Sequence, residues 1–271
     1  MIGAILGDII GSRHEFNNIK TKDFELLTAG CGFTDDTVMT CAVALALLEC
    51  HGDYTELEKK TVEVMQSIGR KYPGCGYGGM FWRWMFSDHP KPYNSFGNGA
   101  AMRVSPVGFI AENISQAKEL AYKVTAITHN HPEGLKGAEA TAIAIVMVRR
   151  GSTKEEIREV MERDYYTSEH TVDEYRDIIR GHGDETCQVS MPEALQCFYE
   201  GESYEDVIRN CISIGGDSDT LAAIAGGIAE AYYGVPEELK GRLLEYLDER
   251  LMNIVDEFTG YMRSMLNTGI F

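Results

Sequence analysis

Apolar residues recur along most of this chain at the three- and four-residue spacing of an α-helix. Residues 54–71 and 115–128 combine such a stripe with charged residues on the other faces, which predicts amphipathic helices on the outside of the molecule. Residues 4–11, 38–48 and 221–229 instead consist almost entirely of small and apolar residues. A helix that is apolar on every side is buried, so these three stretches predict the closely packed centre of the fold.

Helical patterns also account for most of the remaining sequence. Residues 80–86, which contain both tryptophans, predict a short helix packed in the core. We expect further helices over 137–150, 152–162, 186–199, 203–212 and 238–266. Segment 163–183 is expected to be a surface loop with one short outer helix. No stretch shows the repeated period-two alternation typical of β-strands, so we predict a single all-α domain, residues 1–271, with about ten to thirteen helices.

The charge balance argues against several classes of partner. The 271 residues include 42 acidic and 25 basic side chains, and the net charge of −17 opposes a broad surface for nucleic acid or an anionic membrane. No apolar run is long enough to span a bilayer, and residues 1–8 lack the basic flank of a signal peptide. The seven cysteines include no Cys-x-x-Cys pair and are expected to be reduced core thiols. We therefore expect a cytoplasmic protein without a nucleic-acid or membrane partner.

A run of acidic residues stands at the start of the predicted core helix 221–229. In the segment Gly215-Gly216-Asp217-Ser218-Asp219-Thr220, the side chains of Asp217, Asp219 and Thr220 can converge because they lie on a turn that enters a helix. Carboxylate and hydroxyl oxygens suit a hard divalent cation such as Mg²⁺ or Mn²⁺, whereas zinc prefers nitrogen and sulfur. The simpler alternative is an Asp or Ser that only caps the helix.

A second segment repeats this design near the beginning of the chain. Thr34-Asp35-Asp36-Thr37 leads directly into the apolar stretch 38–48, and Glu15 lies further upstream. If these carboxylates meet Asp217 and Asp219, five like charges share one pocket. Carboxylates at close range raise one another's pKa, so such a cluster is tolerable only when cations neutralise it. Two divalent cations would nearly balance it.

Two further segments carry candidate ligand contacts. The turn Ser95-Phe96-Gly97-Asn98-Gly99 opens another small-residue helix, whose first backbone N–H groups could hold a phosphate; a plain helix-entry turn is the alternative. Arg103, one turn inside that helix, could balance the carboxylates. His129 and His131 follow the helix 115–128, where they either contact a ligand or are simply favoured by the helix dipole. No nearby cysteine or third histidine supports a zinc site.

Five motifs occur in one order along nearly the whole chain. They are Gly7-Asp8-x-x-Gly11 with Glu15, Thr34-Asp35-Asp36-Thr37, Ser95-Phe96-Gly97-Asn98-Gly99-x-x-Met102-Arg103, Thr128-His129-x-His131-Pro132 and Gly215-Gly216-Asp217-x-Asp219-Thr220. In these residues the chain resembles the ADP-ribosylglycohydrolase family, which includes the dinitrogenase reductase-activating glycohydrolases and the hydrolases of ADP-ribosylarginine and ADP-ribosylserine. Segment 163–183 aligns with no specificity determinant of that family, which leaves the acceptor open.

The resemblance implies a compact, orthogonal all-α bundle with a binuclear Mg²⁺ or Mn²⁺ centre that cuts the bond between ADP-ribose C1″ and an acceptor. The implied metal ligands are Thr34, Asp35, Asp36, Asp217, Asp219 and Thr220. The implied substrate contacts are Ser95, Gly97, Asn98 and Gly99 on the turn, together with His129 or His131. The resemblance also implies a monomer that acts on an ADP-ribosylated protein or small molecule.

The reaction expected from this resemblance is attack of water at C1″ through an oxocarbenium-like state. Glu15, Asp36 or Asp217 would take a proton, and the acidic pocket would favour the developing positive charge. Protein arginine is the first expected acceptor, and serine or a small molecule are the alternatives. Neither the choice between Mg²⁺ and Mn²⁺ nor the identity of the base follows from the sequence.

Two rival functions use the same residues. A relative that keeps affinity for ADP-ribose without turnover is the main rival, although five carboxylates without cations would make such a protein less stable. A phosphatase with Asp217-x-Asp219 as its nucleophile segment is the other. That reading fails because Thr220 stands one position early and Gly215-Gly216 replaces the apolar strand that precedes such a nucleophile.

Overall fold

The computed structural model describes residues 1–178 and 184–267, and within them all regular secondary structure is helical. The α-helices are α1 (Ile2–Gly11), α2 (Asp35–Glu49), α3 (Leu57–Gly69), α4 (Gly79–Met85), α5 (Gly99–Met102), α6 (Ser105–Ile110), α7 (Ile114–Thr125), α8 (Pro132–Arg149), α9 (Lys154–Asp164), α10 (Val172–Asp177), α11 (Cys187–Glu200), α12 (Tyr204–Ile214), α13 (Ser218–Tyr233), α14 (Glu237–Gly241) and α15 (Glu249–Asn267). Two single 3₁₀ turns precede α3 and α15. The predicted all-α class is confirmed.

The described α-helices outnumber the stretches of clear helical periodicity in the sequence, because several of the helices are very short. Helix α5 has four residues, α14 has five, and α6 and α10 have six each. A single turn or two carries too few residues to show a period, so such helices are set by their packing. The seven-residue helix α4 buries Trp84 but leaves Trp82 45% exposed, so the prediction that both tryptophans lie in the core was wrong for Trp82.

Helix α13 is the centre of the fold, as its small and apolar sequence predicted. It packs against α1, α8, α11 and α12, and its residues from Ser218 to Ala229 are all buried. The amphipathic helices α3, α7 and α9 lie outside this centre and bury only one face each. The buried apolar residues form one continuous cluster that runs from Met1 to Met265.

The contact between α1 and α13 depends on three glycines spaced four residues apart. A Cβ on Gly3, Gly7 or Gly11 would collide with the backbone of α13, at Gly226, Ala222 and Asp219 respectively. Only glycine permits such an approach of two helix backbones. The glycine stripe therefore brings the acidic start of α13 against the end of α1.

The prediction that the cysteines are core thiols holds for four of the seven, whereas Cys31, Cys50 and Cys75 are only half-buried. All seven cysteines are free, and four of them, Cys41, Cys187, Cys197 and Cys211, are buried. Among the described helices, none combines the length and the apolar character needed to cross a bilayer.

Candidate functional site

A cleft of about 720 Å³ opens where the N-terminal ends of α2, α5 and α13 meet. Twelve of the thirteen site residues predicted from the sequence line it, namely Glu15, Thr34, Asp35, Asp36, Ser95, Gly97, Asn98, Gly99, His129, Asp217, Asp219 and Thr220. His131 is not among the lining residues. The fold thus brings together segments that are up to about two hundred residues apart in sequence.

Two groups of carboxylates lie on the floor of this cleft. One oxygen each from Asp8, Asp36 and Asp219 come within 4.8 Å of one another, and so do oxygens from Glu15, Asp217 and Asp219. Asp219 belongs to both groups, so the two groups are adjacent. The first group is buried, whereas Glu15 and Asp217 are only half-buried.

This arrangement disfavours ionisation of the carboxyl groups. Burial, followed by nearby carboxylates, raises the pKa of Glu15 to about 7 and that of Asp35 to about 8. The same causes raise the pKa of Asp36 and Asp219 well above the ordinary range of an aspartate. Without a compensating positive charge the cluster cannot hold all of its negative charges at neutral pH.

Two oxygen atoms of the cluster are buried without a hydrogen-bond partner in the described residues, Oδ1 of Asp36 and Oδ1 of Asp219. The other oxygen of Asp36 accepts from the hydroxyls of Thr34 at 3.4 Å and Thr220 at 3.2 Å. Buried unpaired carboxylate oxygens are costly, and a cation is the partner that suits them. An all-oxygen set of carboxylates and hydroxyls fits Mg²⁺ or Mn²⁺ in its chemistry.

Asp8 is the member of the cluster that the sequence reasoning missed. It is fully buried, and its carboxylate accepts from the backbone N–H groups of Thr34 at 2.9 Å and Thr37 at 3.0 Å and from both threonine hydroxyls. Burial nevertheless raises its pKa to about 6. Asp8 therefore caps the start of α2 from another helix. The signal was a single acidic residue inside the otherwise apolar stretch 4–11.

Asp35 lies in the cleft but outside both carboxylate groups. Its backbone N–H donates to the carbonyl of Cys75 at 2.7 Å, which ties the start of α2 to the glycine-rich loop before α4. Its raised pKa results from burial first and then from the nearby carboxylates of Asp8 and Asp217.

The start of α13 is held by the loop that carries Glu15. Asn18 accepts from the N–H of Gly216 at 2.8 Å and donates to the carbonyls of Glu15 at 2.9 Å and Gly216 at 3.0 Å. Gly215 and Gly216 have φ angles of 72° and 78°, which favour glycine. One side chain thereby fixes Glu15 relative to Asp217. Asp217 itself does not cap α13, so the simple capping alternative is wrong for that residue.

The glycine turn before α5 is clamped by the segment that follows residue 183. Asn98 N–H donates to the carbonyl of Glu185 at 2.9 Å, and Gly97 N–H donates to Oγ of Ser95 at 3.2 Å. Both of these N–H groups are therefore already paired within the protein. The side-chain amide of Asn98 instead donates to Asp217 at 2.6 Å and to Ser190 at 2.9 Å.

The two predicted histidines have different positions. His129 is buried beside the turn, with its Nε2 facing Gly97 and Gly99. His131 instead begins α8, where its Nδ1 accepts from the N–H of Glu133 at 3.1 Å, and its ring packs on Phe96 with centroids 5.1 Å apart. Arg103, expected to balance the carboxylates, has its hydrogen bonds to Thr128 and His129. Neither histidine is placed as a zinc ligand by a neighbouring cysteine or histidine in the described residues.

Comparison with known proteins decides the family. The family model described as ADP-ribosylglycohydrolase matches residues 1–266. The chain belongs to the ADP-ribosylglycohydrolase family. Among its relatives, ADP-ribosylhydrolase ARH3 of Bos taurus is 25% identical, with 88% of this chain and 84% of that protein covered. The ADP-ribosylarginine hydrolase Tri1 of Pseudomonas putida is 23% identical, with 87% and 70% covered.

The fold of this ADP-ribosylglycohydrolase family member is shared with a solved structure. A chain described as an ADP-ribosylglycohydrolase-related protein complex superposes with a TM-score of 0.68 over 95% of both chains, at 23% identity. The predicted outer segment 163–183 contains α10 at Val172–Asp177, and its residues 179–183 lie outside the described part.

Proposed function

We propose that this protein is a metal-dependent hydrolase that releases ADP-ribose from an ADP-ribosylated acceptor. The observation that carries the proposal is the pair of carboxylate groups that share Asp219 on the floor of a cleft, with two unpaired buried oxygens. A site of this kind is unstable alone and becomes stable with divalent cations. Membership of the ADP-ribosylglycohydrolase family supports this choice of reaction.

We assign two divalent cations, Mg²⁺ or Mn²⁺, to the oxygen ligands Thr34, Asp35, Asp36, Asp217, Asp219 and Thr220. When bound, such cations would orient the oxygen atoms of the ribose hydroxyls and of the attacking water. The chain's part is to hold the ligands in place. Asp8 fixes the turn that carries Thr34 and Asp36, and Asn98 fixes Asp217.

The ribose end of the substrate is assigned to the carboxylate floor, and the rest of ADP-ribose to the neighbouring turn with Ser95, Gly97, Asn98 and Gly99. His129 lies against this turn, and His131 packs on the ring of Phe96 behind it. Residues on rigid helix starts suit the accurate placement of a scissile bond. The carboxylates around the ribosyl centre favour the positive charge that develops at C1″.

Glu15 is our first assignment for the proton acceptor, with Asp36 and Asp217 as the other candidates. Glu15 is half-buried on a loop at the edge of the cluster, whereas Asp36 is buried within it. A carboxylate at the edge can reach both the attacking water and the solvent. A serine oxygen would receive a proton as its bond to C1″ breaks and so leave as a neutral hydroxyl. A linked guanidinium already carries a positive charge, so it would leave as a neutral guanidine and take up a proton afterwards.

The decisive experiment measures release of ADP-ribose from arginine-linked and serine-linked ADP-ribosylated peptides and from a small-molecule ADP-riboside. Each reaction is run with Mg²⁺, with Mn²⁺ and with EDTA. We expect metal-dependent release, with the arginine linkage first, because a relative's name, ADP-ribosylarginine hydrolase, supports that acceptor. The variant Asp36→Ala is expected to abolish release in every metal.

Three outcomes separate the alternatives. Release that persists in EDTA, or in Asp36→Ala, would show that the metal assignment is wrong. Tight binding of ADP-ribose without release from any of the three linkages would favour a protein that binds ADP-ribose without turnover. Release from one linkage only would identify the acceptor class.

A further inference from the structure

Arg103 is a buried cation whose hydrogen-bond partners are neutral. It follows α5, is 1% exposed, and lies with its guanidinium carbon 5.6 Å from the centre of the Phe81 ring. Its Nη2 donates to Oγ1 of Thr128 at 2.6 Å and lies 3.3 Å from Nδ1 of His129. Its Nε has no hydrogen-bond partner in the described residues. Burial of such a charge is costly, so its position beside His129 calls for a physical reason.

The chemistry of the guanidinium determines which nitrogen of His129 carries the proton. Nδ1 of His129 has two neighbours, Nη2 of Arg103 at 3.3 Å and the hydroxyl oxygen of Thr128 at 2.8 Å. The guanidinium can only donate, whereas the hydroxyl can donate or accept, so only an unprotonated Nδ1 satisfies both contacts. A proton on Nδ1 would instead point at an N–H group 3.3 Å away. A neutral imidazole has one proton on its two nitrogens, and here it must be on Nε2.

The Nε2 side of the ring faces the ligand turn. A Cβ on Gly99 would lie 3.3 Å from Nε2 of His129, and one on Gly97 would lie 3.6 Å from it. Both glycines and His129 line the main cleft. A proton on Nε2 therefore faces the surface that we assign to ADP-ribose.

We propose that Arg103 is a positioning residue that holds His129 as the neutral Nε2–H tautomer, so that the ring presents a fixed hydrogen-bond donor to a ligand on the Gly97–Gly99 turn. Only the identity of the ligand rests on the proposed function. The tautomer of His129 follows from its contacts with Arg103 and Thr128.

The surroundings of His129 also keep the ring neutral. The groups that face it are Arg103 at the end of α5, the hydroxyl of Thr128, and the ring of Tyr93, whose centroid is 5.8 Å away. Burial and the charge of Arg103 lower the pKa of His129 well below its ordinary value. Arg103 itself has a pKa lowered to about 10 by burial and so stays charged at neutral pH. The donor on Nε2 is then insensitive to pH over the working range.

The test reads the His129 ring directly, by long-range ¹H–¹⁵N NMR of the full-length protein labelled at histidine, without any ligand. We expect the Nε2–H tautomer from about pH 5.5 to about pH 8. Arg103→Met removes the donors and the charge, so we expect mixed tautomers and a His129 pKa that is higher than in the wild type but still below the ordinary histidine value, because the ring stays buried. Arg103→Lys keeps a charged donor and is expected to restore much of the tautomer.

Binding of ADP-ribose in EDTA gives a second readout. Arg103→Met should weaken binding about tenfold at pH 8, and the loss should shrink at acid pH as His129 becomes a cation. The matched control is Arg149→Met, because Arg149 also has a pKa lowered to about 10 by burial but donates to the carbonyls of Gly108 and Ala111. It should leave both the His129 spectrum and the pH profile of binding unchanged.

An Nδ1–H tautomer or an imidazolium in the wild-type spectrum at neutral pH would overturn the proposal, even if no variant folds. An unchanged Nε2–H tautomer in folded Arg103→Met would also overturn it. These spectra need neither turnover nor a ligand. The tautomer of His129 is therefore tested even if the protein proves not to be a hydrolase.

Discussion

The starts of α2 and α13 carry similar sequences, Thr-Asp-Asp-Thr and Asp-Ser-Asp-Thr, but they are stabilised in different ways. At α2, Thr34 is the N-cap and its side chain accepts from the N–H of Asp36, while Asp8 accepts from the N–H groups of Thr34 and Thr37. At α13, Asp217 is the N-cap residue but its side chain makes no capping hydrogen bond. It accepts instead from Asn98.

The two helix starts therefore differ in which groups satisfy their hydrogen bonds. The start of α2 has a dedicated buried carboxylate, Asp8, that satisfies its backbone donors. The start of α13 leaves its aspartates directed into the cleft, and Oδ1 of Asp219 has no partner in the described residues. Oδ1 of Asp36 at the α2 start also has no partner in the described residues. We infer that the backbone of the α2 start is held without cations, whereas the carboxylates of both helix starts depend on them.

The largest expected effect is that of Asp219→Asn, since Asp219 belongs to both carboxylate groups. We expect turnover to fall by at least about a thousandfold. In EDTA at pH 8 the variant should melt a few degrees higher than the wild type, because folding of the wild type must either bury the charge of Asp219 or protonate it, and asparagine requires neither. Kinetics and thermal denaturation with and without Mg²⁺ measure both effects.

The control for that variant is Asp173→Asn, which removes the same charge from a side chain that is 85% exposed. Asp173→Asn should change neither turnover nor the melting temperature in EDTA. A lower melting temperature for metal-free Asp219→Asn would contradict the view that the α13 start depends on cations.

The next effect is that of Asp8→Ala on the α2 start. Loss of this carboxylate leaves buried donors of Thr34 and Thr37 unpaired, and we expect the free energy of unfolding to fall by about 3 kcal/mol. Asp53→Ala is the matched control, since Asp53 also caps a helix start through a threonine, Thr55, but at the surface. This control should lower the free energy of unfolding much less than Asp8→Ala does. If urea denaturation shows equal losses of unfolding free energy for Asp8→Ala and Asp53→Ala, Asp8 is not the main support of the α2 start.

The smallest effect is the pH dependence of the metal-free protein. Asp8, Glu15 and Asp35 have pKa values raised to about 6, 7 and 8, whereas unfolded carboxyls titrate near about 4. The folded state therefore binds more protons than the unfolded state from about pH 4 to about pH 8. Stability contributed by these protonated groups is lost as the pH rises through that window.

The melting temperature in EDTA should accordingly fall by several degrees between about pH 5 and about pH 8, and saturating Mg²⁺ should reduce the fall. The fall should persist at about 0.5 M salt, because salt screens surface charges far more than buried ones. A melting temperature that is flat or rises over this range in EDTA would contradict raised pKa values in the cluster.

The amino-acid sequence by itself determined the helical class, the buried centre and most of the cleft lining. The small residues of 4–11 and 221–229 predicted close-packed helices, and the aspartates directly before core helices indicated a shared polar site, with a simple helix cap as the alternative. Local pattern was sufficient there because each signal lies within one helix. His131 is the counterexample, because the same local pattern fits both a ligand contact and the helix cap that it forms.

Tertiary structure alone decided how the two acidic helix starts share one site. The glycines of α1 let α13 approach closely enough to place Asp219 beside Gly11, and this contact brings Asp8 into the cluster. Tertiary structure also decided that Arg103 contacts His129 and not a carboxylate. These pairings join residues far apart in the chain, and a sequence pattern carries no distance between such residues until the helices pack.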